Sequence, residues 1–145
     1  METIITHSEE ETFALGKAIG EAAKPGSVFC LSGDLGSGKT VLAKGMAAGL
    51  GITDDIVSPT FTLVQEYQGN LPFYHFDIYR LADEEALLDI GWEEYIEAGG
   101  VCLVEWADQV AEAMPPEAEW LTFERDLTQG AEYRRITRSH RGLSC

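Results

Sequence analysis

Residues Gly33-Asp34-Leu35-Gly36-Ser37-Gly38-Lys39-Thr40 place a glycine, four variable positions, and then Gly-Lys-Thr. That spacing suits a loop that grips phosphate. Glycines let the main chain curl so that successive N–H groups converge on phosphate oxygens. A helix starting at the end of the loop adds about half a positive charge. Lys39 is expected to reach the outer phosphates, and the Thr40 hydroxyl to bind a magnesium ion. Gly33, the cradle from Leu35 through Gly36, Ser37, Gly38 and Lys39 to Thr40, and Val41 are the candidate nucleotide-binding residues.

Phosphate chemistry also needs a carboxylate for the metal and a group that orients water. Two acids follow apolar runs. Glu105 ends Val101-Cys102-Leu103-Val104 and takes the magnesium role, against the alternative of a strand-end surface carboxylate. Asp77 follows Phe73-Tyr74-His75-Phe76 and is placed to align water or complete the metal's surroundings; its alternative is a cap for the next segment. Thr60, after Pro59, either senses the third phosphate as switch loops do or serves turn chemistry. His75 reads as a hydrogen-bonded core histidine rather than a catalyst. Trp106 either lies near the nucleotide or packs in the core. The catalytic candidates are therefore Lys39, Asp77, Glu105 and Thr60.

Secondary-structure elements must hold these residues in place. Val28-Phe29-Cys30-Leu31 is a buried strand entering the loop, and 41–50 has helical spacing with Gly51 as its stop. Ser8 caps a first helix carrying Phe13, Leu15, Ala18, Ile19 and Ala22, with Glu11 completing a capping box. Lys24-Pro25-Gly26 ends that helix. Residues 53–60 read as an exposed loop. Phe61–Tyr67 and Leu71–Phe76 form a hairpin about Gln68-Gly69-Asn70. Asp83–Ile90 is a helix with acids in its first turn, Gly91 breaks it, and 92–96 make another short turn. A final hairpin pairs 120–123 with 133–137, and Ser139–Cys145 is expected to fray.

Composition narrows the classes. A chain of 145 residues with 45% hydrophobic and 24% charged residues reads as one globular domain, 1–145. No apolar run approaches the roughly 20 residues of a membrane span. The start lacks the pattern of a signal peptide, so the cytosol is the expected compartment. Net charge is −15 and unevenly spread. Residues 1–125 carry six Lys and Arg against 23 Asp and Glu, a net −17, while 126–145 carry a net +2. Such an acidic body repels nucleic acid and disfavours tight direct binding to it. Cys30 and Cys102 sit in apolar runs as small core residues, and no metal-like cysteine pairing is present. There is no Asn-Lys-x-Asp guanine-reading motif, and Arg80 is the one arginine before Arg125. Both facts argue against a GTPase or a nucleotide kinase, and the second leaves hydrolysis slow without a partner.

Four segments together carry a resemblance: Gly33–Thr40, Ser58-Pro59-Thr60-Phe61-Thr62-Leu63-Val64, His75-Phe76-Asp77-Ile78-Tyr79-Arg80-Leu81 and Leu103-Val104-Glu105-Trp106. In order and spacing, from about Ser8 to Gly130, they resemble TsaE, the bacterial ATPase family of tRNA threonylcarbamoyladenosine biosynthesis. The resemblance implies an α/β domain, a P-loop NTPase-like central mixed, mostly parallel sheet flanked by helices, with antiparallel hairpins. It implies ATP and magnesium as ligands and the proteins TsaD and TsaB as partners. Carried over, Thr40 and Glu105 are magnesium ligands, Leu35 to Thr40 the phosphate cradle, Asp77 a residue needed for hydrolysis, and Glu9 a nucleotide contact. Family members often place Arg after the glycine of the last hairpin. Here Ala131 follows Gly130, with Arg134 and Arg135 nearby as the available cations.

The leading reading is a slow, partner-stimulated ATPase. A second is a nucleotide-gated binding module whose hydrolysis only resets its state. A small-molecule kinase is the third.

Overall fold

The structure is a computed structural model that describes residues 2–33, 39–56, 64–78 and 84–140. The elements run in the order β1 (Glu2–Thr6), α1 (Glu9–Ala22), β2 (Val28–Gly33), α2 (Lys39–Gly49), β3 (Val64–Tyr67), β4 (Phe73–Asp77), α3 (Glu84–Asp89), α4 (Trp92–Glu97), β5 (Val101–Glu105), a 3-10 turn (Ala107–Ala113), β6 (Glu119–Arg125) and β7 (Arg134–His140). The strands form a seven-stranded sheet in the order β1-β7-β6-β2-β5-β4-β3. Its four middle strands, β6, β2, β5 and β4, are parallel, and antiparallel pairs close both edges. This is the mixed sheet with antiparallel hairpins that the sequence leads one to expect.

Period-two alternation sends the strand side chains to two separate cores. Phe29, Leu31, Leu103, Leu121, Phe123 and Ile136 meet Leu42, Met46 and Ile19 under α1 and α2. Val28, Cys30, Tyr74, Phe76, Cys102 and Val104 meet Leu87, Trp92 and Val110 under α3, α4 and the 3-10 turn. Burial on both faces explains why β2 and β5 read as unbroken apolar runs. Cys30 and Cys102 are both free and buried. Burial pushes the Cys102 thiol up to about 12, which removes it from thiolate chemistry near neutral pH.

Helices α1 and α2 run parallel and touch backbone to backbone. A Cβ at Gly16 would stand 2.4 Å from the Leu42 carbonyl oxygen, one at Gly20 2.3 Å from that of Met46, and one at Gly49 2.3 Å from that of Lys17. At Gly45 it would meet the Phe13 carbonyl oxygen at 2.2 Å. Alanine normally gains about 1 kcal/mol over glycine inside a helix. Here the obstruction is backbone, so Gly45→Ala must push α1 off the whole glycine face, and overpacking of this kind costs about 1–3 kcal/mol. Gly45→Ala is expected to lower stability despite its better propensity, read as a lower midpoint in urea or thermal unfolding. An unchanged or raised midpoint would refute the close approach.

Some local expectations shift. The Glu11 N–H donates to Ser8 Oγ at 3.1 Å, as a cap requires, but the Glu11 carboxylate accepts from the N–H of His7 at 2.6 Å rather than from that of Ser8. The stretch after α2 is not wholly exposed, since Ile52 and Ile56 bury against α2 and anchor it. β7 continues through His140, with Ser139 opposite Trp120 and His140 opposite Glu119, so pairing with β6 holds the first two residues expected to fray. The expected start of β3 at Phe61–Leu63, the start of α3 at Asp83, and 141–145 lie outside the described residues.

Candidate functional site

Parallel strands direct their carboxyl ends to one edge of a sheet, where ligands of such folds bind. On this edge β2 ends at Gly33, β4 at Asp77 and β5 at Glu105. The register pairs Asp77 with Glu105, and Glu105 with Leu31 two residues before Gly33. Both acids therefore leave neighbouring strands on one face, the face that α2 covers. β1 runs in the same direction as β6, so its end, and the start of α1 with Glu9, share this edge. Glu9 is exposed in the first turn of α1.

Gly33 has φ +110°, and a Cβ there would stand 2.1 Å from the Phe123 carbonyl oxygen on β6. Only glycine fits both the dihedral and the space. The loop from Leu35 through Gly36 and Ser37 to Gly38 lies outside the described residues, as does Thr60.

On the far side of the loop, Lys39 is the first residue of α2 and only 5% exposed. Its Nζ donates to the Gly33 carbonyl oxygen at 3.4 Å and stands 4.6 Å above the centroid of the Trp106 ring. The ammonium is thus folded back onto the end of β2, held by a long hydrogen bond and a cation–π contact. Thr40 follows it and is exposed, while Val41 is half-buried.

Trp106 holds φ +65°, the one non-glycine residue with positive φ among the described residues. That conformation costs about 1–2 kcal/mol. It turns the chain directly after Glu105 and brings the indole under Lys39. The core reading of Trp106 fits: the half-buried ring packs against the second core, and its face meets the Lys39 ammonium.

Glu105 is 7% exposed. Its Oε2 lies 2.6 Å from Nε2 of His75, which is fully buried. The core reading of His75 holds, but its partner is the acid chosen for the metal. Alternation on β4 puts His75 and Asp77 on one face, the signal that could have linked them beforehand. Among the described residues there is no group of three or more His, Cys, Asp or Glu side chains that could hold a metal. Magnesium beside phosphates does not need one: it takes one or two protein oxygens and fills its shell with phosphate and water. A buried carboxylate held on one oxygen, with a threonine in the first turn of α2, fits that donor set.

Arg135 is paired with Glu124, Nη2 to Oε2 at 2.8 Å. Arg134 donates to the carbonyls of Ala131 and Tyr133. Both arginines follow the turn in which Ala131 stands.

A family model described as "Threonylcarbamoyl adenosine biosynthesis protein TsaE" matches residues 6–136. The chain belongs to the TsaE family. TsaE of Bacillus subtilis strain 168 is 48% identical over 133 residues, covering 91% of this chain and 81% of the relative. TsaE of Treponema pallidum is 45% identical over 111 residues, 77% of this chain and 82% of the relative. The crystal structure of Bacillus subtilis YdiB superposes with a TM-score of 0.81 at 41% identity, covering 96% of this chain and 84% of that one. These TsaE relatives are named for tRNA threonylcarbamoyladenosine biosynthesis. No helix among the described residues is long and apolar enough to cross a membrane.

Proposed function

We propose that this TsaE-family chain binds ATP with magnesium and hydrolyses it slowly, as an accessory factor in tRNA threonylcarbamoyladenosine biosynthesis that acts on a complex of TsaD and TsaB. The observation that carries the reading is the convergence of Gly33, Lys39, Asp77 and Glu105 on one edge of the sheet, the two acids in register. Lys39 would exchange its carbonyl for phosphate oxygens, and the N-terminus of α2 would add its dipole. Thr40 and Glu105 would hold magnesium, which when bound neutralises charge building on the phosphates. Asp77 would orient the attacking water or steady the metal's surroundings, and Thr60 would respond to the third phosphate. Glu9, at the start of α1, would face the nucleotide from the same edge.

Phosphate release measured with and without the TsaD–TsaB complex tests this. The expected result is a low basal rate that the complex raises. No release in either condition would refute the ATPase. Efficient ATP-dependent phosphorylation of a small hydroxylated acceptor would make the protein a kinase instead.

A further inference from the structure

His75 shares the face of the sheet on which Glu105 ends, and none of the roles above uses it. Its ring is stacked near that of Phe73, centroids 6.1 Å apart and planes 23° from parallel. Nδ1 has no hydrogen-bond partner among the described residues. The polar contact the ring does make is the one from Nε2 to Glu105. An apolar side chain would fill such a site without burying a polar nitrogen. Packing alone therefore gives no reason for an imidazole here, whereas holding Glu105 does.

An ionised carboxylate only accepts hydrogen bonds, so the ring meets it as a donor through Nε2. That bond commits Oε2 of Glu105 and leaves Oε1 for another partner. Glutamate is a long side chain with several rotamers to lose, and a bond to a ring fixed within the sheet restricts them before any ligand arrives.

We propose that His75 is a positioning residue for magnesium: it presents Glu105 to the cation in one orientation. This inference rests on the magnesium role given to Glu105.

The test is calorimetric ATP affinity with magnesium and with EDTA, for the unsubstituted chain, His75→Leu and His75→Gln. Groups that orient a metal's ligands typically change affinity 10–100-fold. His75→Leu is expected to shrink the affinity gained from magnesium by about that factor while leaving affinity in EDTA unchanged. His75→Gln keeps an N–H donor and is expected to recover most of the gain. An unchanged gain in His75→Leu overturns the proposal, and so does equal weakening with and without magnesium, which would mark a merely structural histidine. If the unsubstituted chain gains nothing from magnesium, the metal role of Glu105 fails first and takes this inference with it. Should neither variant fold, nitrogen-detected NMR of the unsubstituted chain decides. A slowly exchanging His75 Nε2 proton in the magnesium–ATP complex supports the bond, and its absence there overturns it.

Discussion

Lys39→Ala is expected to weaken ATP binding by about 100-fold without destabilising the free protein. A hydrogen bond between charged groups is worth about 1.5–3 kcal/mol, and the upper value corresponds to roughly that factor. Lys39 is nearly buried, and its ammonium is held by a 3.4 Å contact to a carbonyl and by the face of Trp106. Neither replaces full hydration, so the unliganded protein bears a desolvation cost that phosphate would offset. Removing the charge removes that cost. The unfolding midpoint of the free variant should equal or exceed that of the parent, a trade common at functional sites. Isothermal calorimetry checks the first half and thermal unfolding without nucleotide the second. Unchanged ATP affinity would end the phosphate-loop assignment. A marked drop in midpoint would show that Lys39 serves the fold instead.

Glu105→Gln and Glu105→Ala should both lower ATP hydrolysis by at least about 100-fold, because each removes a charge worth several kcal/mol to a metal-assisted reaction. They should differ in stability. Glutamine retains an oxygen that can accept from His75 Nε2. Alanine leaves that buried donor unpaired, at a cost of about 1–3 kcal/mol. Phosphate-release kinetics and urea titrations on both variants separate the two effects. If both hydrolyse ATP at the parental rate, Glu105 has no part in the chemistry. If both lose equal stability, the 2.6 Å contact does not hold the site together.

The local parts of the fold were readable because local chemistry determines them. Ser8 caps α1 through a hydroxyl three residues from its partner. Continuous apolar runs marked β2 and β5, and Gly26 and Gly91, both with positive φ, fell at expected breaks. The end of β7 was not legible because polar residues there give no apolar signal, while backbone pairing with β6 across the hairpin extends the strand through His140. Ile56 lay in a run of loop-forming residues whose composition outweighed one apolar side chain, yet the core of α2 takes it in. The role of His75 was half legible: burial followed from its apolar neighbours, but its partner is 30 residues away.

The amino-acid sequence by itself determined the glycine-rich Gly-Lys-Thr motif, a strand ending in an acid, and family membership, because each is written in short runs of neighbouring residues. It did not determine that β5 inserts between β2 and β4, which comes from sheet order. That insertion sets Asp77 beside Glu105 and brings His75 onto the carboxylate. Strand pairing over long separations depends on the summed burial of both sheet faces, so tertiary packing decided which of the acids share the site.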